Sequence, residues 1–167
     1  MDGVVLVAYA SKHGSTREVA ERVCETIQAT GLRAHLRPAI RVDDLDGYGG
    51  VVLGGALYLG RLHRHAHRFL SRHETALGER PLAVFGCGPT DEEPAHWRQS
   101  REQLEAALAR HHLDPVAVEV FGGRIDPSQL RFPLSRMPAG DVRDWRAIAA
   151  WARSLPDLLG IQSPLLV

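Results

Sequence analysis

Val4-Val5-Leu6-Val7-Ala8-Tyr9-Ala10-Ser11-Lys12-His13-Gly14-Ser15-Thr16 decides how the rest of the chain is read. Residues 4–10 form an apolar run with no polar break, the pattern of a strand buried on both faces, as in a parallel sheet. Residues 11–16 are short, rich in hydroxyls and contain a single glycine. An amphipathic helix follows at once, with Val19, Ala20, Val23, Cys24 and Ile27 along one side. A strand, a hydroxyl-rich loop and a helix start, in that order, make an anion site. The first backbone N–H groups of a helix lack partners and sit at the positive end of its dipole. Ser11, Ser15 and Thr16 add neutral donors, and Gly14 lets the backbone approach an anion without a Cβ in the way.

The loop lacks the Gly-Lys-Ser/Thr ending of a P-loop. Its single glycine also excludes the three-glycine dinucleotide fingerprint. Donation mostly by neutral groups suits a terminal monophosphate. Ser11-x-x-Gly14-x-Thr16 resembles the phosphate loop of the flavodoxin family, which binds the phosphate of FMN. The competing reading is a Ser/Thr-rich turn that caps a helix and holds no ligand.

The chain has 167 residues, enough for one domain with a full-sized core. Hydrophobic residues make up 44% and the formal net charge is zero, so nothing attracts the chain to nucleic acid or to an anionic membrane. Lys12 is the only lysine, which reads as a composition bias towards arginine. Cys24 and Cys87 are not spaced as a disulfide framework or a zinc site. The chain opens directly on a strand, without a secretory leader, and contains no apolar run long enough to span a bilayer, so a cytoplasmic location is expected.

Outward from the opening stretch, the periodicity gives a helix over 16–30 closed by Gly31, then an edge strand over 33–37 ended by Pro38. A crossover of one or two turns covers 40–47, and a buried third strand covers 48–55, its glycines implying close backbone approach near its end. A helix spans 63–77 and a fourth strand 81–86. A long helix covers 95–111, with Trp97, Leu104, Ala107 and Leu108 packing inward, and a fifth strand runs over 115–121. Residues 127–140 hold three prolines and form the least regular segment. Asp141 has the look of an N-cap, with Asp144 three residues on, for a last helix reaching about Leu155. The apolar tail, 156–167, is suited to the body of the domain or to a second copy of the chain, a homodimer contact. Strands and helices alternate throughout, which calls for a parallel sheet with helices on both faces.

In an open α/β sheet of order 2-1-3-4-5, ligands bind outside the carboxyl ends of the strands, between strands one and three. The loop of Ser11, Lys12, His13, Gly14, Ser15 and Thr16 therefore faces the residues after the third strand, Ala56, Leu57, Tyr58, Leu59 and Gly60. The first holds a phosphate and the second offers Tyr58 and free backbone groups to a flat ring, unless Tyr58 is a plain surface tyrosine. Cys87, Gly88, Pro89 and Thr90, after the fourth strand, form a third wall, with Cys87 read as a small buried residue. Asp91, Glu92 and Glu93 read as helix-capping acids. His63 and His67 lie one turn apart, but Arg64 and Arg68 beside them and the lack of further ligands speak for a solvated helix face, not a metal site.

Residues 5–23, 44–56, the His-rich helix ending in Leu70-Ser71-Arg72-His73, and Phe121-Gly122-Gly123-Arg124 resemble the flavodoxin-domain family, in the branch that includes menaquinone-dependent protoporphyrinogen oxidase. The resemblance implies a single flavodoxin-like domain over 1–167, a three-layer sandwich around a five-stranded parallel sheet. It also implies FMN as cofactor, residues 11–16 on the phosphate, and 56–60 with 87–90 flanking the isoalloxazine. Two departures bear on partners. The oxidases carry a long basic and aromatic insertion after the fifth strand, where this chain has only residues 127–140. Flavodoxins are strongly acidic, and this chain is neutral. Three functions follow as expectations: an FMN oxidoreductase acting on a small molecule such as a quinone or porphyrinogen, an electron carrier for a protein partner, or a binding module that has lost FMN. No catalytic acid or base is assigned, because the flavin would carry the chemistry. Arg61 and His63 stand near enough to the ring loop to approach an anionic substrate.

Overall fold

The computed structural model describes residues 3–163. The elements are β1 (Val4–Ala10), α1 (Ser15–Ala29), β2 (Ala34–Pro38), β3 (Tyr48–Tyr58), β4 (Arg61–Leu62), α2 (Arg64–Arg72), α3 (Glu74–Gly78) and β5 (Leu82–Cys87). They continue with α4 (Pro94–Ala109), β6 (Ala117–Phe121), β7 (Arg124–Ile125), β8 (Gly140–Asp141) and α5 (Trp145–Leu158). Short 3₁₀ turns occupy Ala39–Arg41, Pro127–Gln129 and Leu134–Arg136.

The strands β2-β1-β3-β5-β6 form one parallel sheet in that order. Counting only these strands, this is the expected 2-1-3-4-5 order. The opening run explains why β1 is central: Val5, Leu6, Val7 and Ala8 are all fully buried. Successive side chains point to opposite faces. Leu6 and Ala8 join the core under α2 and α4 with Leu53, Phe69, Leu70 and Leu104. Val5 and Val7 join the core under α1 and α5 with Val23, Ile27, Phe85 and Ile148. Each such side chain contributes about 1.5–3 kcal/mol when fully buried.

The glycines of β3 explain the tight packing near its end. A Cβ on Gly54 would overlap the Phe85 ring, and one on Gly55 would stand 2.5 Å from Leu62 Cδ1. The close approach is made by the core's own side chains. Phe85 in turn meets Phe121 and Trp151 with ring centroids 5.8 and 5.9 Å away.

Four local expectations change. β3 runs on through Tyr58, and Leu57 and Tyr58 pair antiparallel with Leu62 and Arg61 of β4. The residues expected as a loop thus form a hairpin, turned at Leu59 and Gly60, both at positive φ. The helix expected over 63–77 breaks at His73, whose buried ring places Nε2 3.2 Å from Val42 O. No Gly or Pro marks that break in the sequence. The N-cap of α5 is Asp144, whose carboxylate accepts from the N–H groups of Arg146 and Ala147, while Asp141 ends up in β8. Glu93 precedes α4 without a side-chain cap, and Asp91 instead accepts from Glu93 N–H and lies 2.8 Å from His96 Nδ1. Of the C-terminal stretch, Leu159 and Ile161 are buried in the α1/α5 core, and residues 164–167 lie outside the described residues.

Candidate functional site

The first loop places its groups as a receptor for a small anion. Gly14 is the N-cap of α1 at φ 85, and no side chain caps the helix. A Cβ on Gly14 would meet nothing within 4 Å, so the glycine is required by its left-handed backbone and not by crowding within the protein. The first intrahelical bond runs from Glu18 N to Gly14 O. The amides of Ser15, Thr16 and Arg17 come before it and have no helical partner. Ser11 Oγ accepts the Gly14 N–H at 3.1 Å, which leaves the hydroxyl proton of Ser11 free to donate.

Thr16 is the telling residue. Its side chain is fully buried, and the one polar neighbour of its Oγ1 among the described residues is the Cys87 thiol, too weak a partner to satisfy a buried hydroxyl. A buried hydroxyl left unsatisfied costs about 1–3 kcal/mol, so such atoms point to a group the protein is built to meet. Cys87 stands close by. Burial pushes its thiol up to about 12, and the Thr16 hydroxyl and Arg143 only partly offset this. Cys87 is therefore the small, unreactive strand-end residue expected, and both cysteines are free.

Beside the loop lies a cavity of about 210 Å³ at the carboxyl ends of the strands. Ser11, Lys12, His13 and Ser15 line it from the first loop. Ala56, Leu57, Tyr58 and Leu59 line it from the β3–β4 hairpin, and Cys87, Gly88 and Thr90 from the loop after β5. The three loops named from the sequence thus converge on one opening. Gly14 and Thr16 are not among the lining residues, Gly60 occupies the hairpin turn, and the Pro89 carbonyl accepts the Gly123 N–H. Tyr58 is partly exposed, with its ring centroid 6.4 Å from that of His13.

A fourth wall completes the cavity: Gly123, Arg124, Ile125, Asp126, Gln129, Leu130 and Met137. These residues come from an excursion after β6 in which β7 and β8 pair antiparallel. The only sign of it in the sequence is that residues 122–126 leave the sheet at the same end as the other loops. Arg143 fastens the excursion. Its side chain is only 5% exposed, bonds Asp141 through Nε and Nη2 at 2.9 and 2.8 Å, and reaches Glu18 in the first turn of α1 at 2.6 Å. Those bonds hold the Asp141 carboxyl below the usual carboxylate range.

His63 also lines the cavity and accepts the His65 N–H as the N-cap of α2, whereas Arg61 does not line it. His67 pairs with the turn after α4, its Nδ1 2.9 Å from His111 Nε2, and His63, His65 and His67 are half-buried where a solvated face was expected. Burial pulls His63, His67 and His111 below their ordinary value.

An open parallel sheet with an uncapped, glycine-started helix and a cavity along its crest defines the flavodoxin-like class of α/β proteins. Residues 6–137 match the family model described as Flavodoxin domain, and the chain belongs to that family. Over 171 aligned positions it is 21% identical to the protoporphyrinogen IX dehydrogenase [quinone] of Escherichia coli, covering 92% of this chain and 94% of that protein. Among solved structures it resembles oxidised flavodoxin 1 from Bacillus cereus, with TM-score 0.62 and 16% identity over 93% of this chain and 98% of that one. It also resembles a flavodoxin mutant from Pseudomonas aeruginosa, with TM-score 0.61 and 16% identity over 94% and 99% of the two chains. Among the described residues no helix is long and apolar enough to cross a membrane.

Proposed function

We propose that the protein binds FMN and acts as an oxidoreductase on a small molecule of the quinone or porphyrinogen type. The observation that carries this reading is the buried Thr16 hydroxyl, with only the weak Cys87 thiol beside it, next to the first amides of α1, which no side chain caps. The residues fit the cofactor: the loop 11–16 supplies neutral donors for a phosphate, and the cavity between Tyr58 and Gly88 offers apolar walls for a flat ring. When bound, FMN supplies the acceptance and donation of electrons with a proton. Residues 56–60 and 87–90 would flank the ring, orient its edge and exclude water, while Cys87, held as a neutral thiol, takes no part in proton movement. The names of the Escherichia coli relative and the presence of a walled cavity support a small-molecule substrate. We place the protein in the cytoplasm as a single domain over 1–167.

An electron-carrier role is the second reading. The exposed hairpin tip supports it, with Leu59 72% exposed at the mouth of the cavity. The two separate by assay: an enzyme reduces or oxidises a quinone in repeated turnovers when given a donor, whereas a carrier passes electrons only between protein partners. Thr16→Val tests the cofactor site beneath both. It removes the unsatisfied hydroxyl at constant shape, so the apoprotein keeps its stability or gains about 1 kcal/mol. FMN affinity falls about tenfold or more with the lost bond to a charged group. Unchanged affinity would refute the assignment.

A further inference from the structure

Of the four arginines in the excursion, Arg124, Arg131, Arg136 and Arg143, only Arg124 lines the cavity, and it is held differently from Arg143. Arg143 is saturated by Asp141 and Glu18 and is nearly inaccessible. Arg124 lines the cavity, is 42% exposed along its side chain, and has only long-range partners: Glu18 Oε1 and Asp126 Oδ2, each 3.9 Å from its guanidinium. At that separation neither is a hydrogen bond, and exposed pairs of this kind contribute about 0–1 kcal/mol.

Both of those carboxylates also have better partners. Glu18 takes the 2.6 Å bond from Arg143, and Asp126 accepts from Ser128 Oγ at 2.6 Å and from Ser128 N–H at 3.1 Å. Arg124 can therefore turn to a ligand without leaving a carboxylate unpaired. Beside Asp126 and Gln129, this wall carries the apolar side chains Ile125, Leu130 and Met137, and Leu57 and Tyr58 of the hairpin line the same opening. Lys12, from the first loop, adds a second cation to the lining.

We infer that Arg124 is the specificity-determining residue of the cavity, and that the molecule admitted beside the flavin carries a carboxylate on an otherwise apolar ring system. The planar guanidinium fork matches a carboxylate in two parallel bonds, and the apolar side chains of the lining fit the ring. This inference rests on the FMN reading above. The fork also matches phosphate, so the cofactor's own phosphate is the other source of an anion here, and the test separates the two.

The test uses the full chain loaded with FMN. Anthraquinone-2-carboxylate and its neutral carboxamide are titrated in, and binding is followed by calorimetry and by quenching of flavin fluorescence. The wild type should bind the carboxylate about tenfold more tightly than the carboxamide, and added salt should shrink that preference. In Arg124→Gln the preference should disappear while the Kd for FMN changes less than threefold. Arg124→Lys, which keeps the charge but not the fork, should restore only part of it. Equal binding of the two probes by the wild type, or an undiminished preference in Arg124→Gln, overturns the inference. A tenfold loss of FMN affinity in Arg124→Gln with the probe preference intact also overturns it and assigns the residue to the cofactor phosphate. Wild-type protein that takes up no FMN strikes the cofactor reading itself, a failure visible before any probe is added.

Discussion

At the scale of single residues, the site depends on Gly14 and Thr16. Gly14 sits at φ 85 with open space where a Cβ would go. Its replacement meets backbone strain and no steric clash, and Asn and Asp tolerate the left-handed region better than most residues. Gly14→Asn should therefore cost about 1 kcal/mol of stability and leave FMN binding measurable. Gly14→Asp, of nearly the same shape, adds a carboxylate against the phosphate and should abolish uptake while circular dichroism stays unchanged. Equal FMN affinity in the two variants would contradict an anion site. The sequence singled out these residues as candidates, because hydroxyls and a glycine before an amphipathic helix suit an anion, although a plain capping turn reads the same way. It showed only part of why the glycine is needed. The expectation was room for a ligand, and the structure adds a left-handed backbone conformation as a further reason, with open space where a Cβ would go.

At the scale of elements, the strands were legible and the excursion was not. Buried strands of a parallel sheet announce themselves as unbroken apolar runs, and β1, β3 and β5 do so, while β6 at the sheet edge is interrupted by Glu119 and only half-buried over its first three residues. β7 and β8 are pairs of residues held by a hairpin contact and by ion pairs with α1, 125 positions away in sequence in the case of Arg143 and Glu18. No local pattern encodes such a contact. The same holds for His73, which breaks a helix by reaching a carbonyl on a distant crossover. Asp141 was expected as the cap, with Asp144 three residues on, but Asp144 caps α5 while Arg143 binds Asp141 in β8. Arg143→Met should leave Asp141 and Glu18 without their shared cation at a cost of about 1–2 kcal/mol, discounted because both carboxylates are partly solvated. Hydrogen exchange should then quicken across residues 122–143 while β1, β3 and β5 stay protected. Uniform loss of protection across the sheet would show that Arg143 supports the whole fold and not the excursion alone.

At the scale of the whole molecule, histidines set the response to pH. His63, His67, His73 and His111 are each pulled below their ordinary value near 6.5, first by burial, with neighbouring positive charge adding to it and, at His73 and His111, the Val42 carbonyl and Glu74 partly opposing it. The unfolded chain therefore binds protons before the folded one does. Above about pH 6.5 both states are neutral at these sites and stability is level; below it, stability falls as the unfolded state gains protons. The carboxyls of Asp91, Asp126 and Asp141 are held down by their hydrogen bonds, so their contribution is lost only below the ordinary carboxylate value of 3.8. Urea unfolding at pH 7.5 and pH 5.5 should show a lower midpoint at the acid end with the slope unchanged. His67→Gln should lessen the difference, since it removes one member of the His67–His111 pair. A midpoint that holds steady or rises between those two pH values would contradict this account.

The fold, the loop order and the convergence of three loops were all readable from the chain, because a parallel sheet fixes where its crevice lies. The fourth wall required the structure, and it is the part that bears on what enters the cavity. The most direct measurement of the central claim is a titration of the apoprotein with FMN, followed by flavin fluorescence. The account predicts saturable binding at one FMN per chain, with the visible absorption of a bound flavin. A flat titration, with no flavin absorption at any ratio, would contradict it.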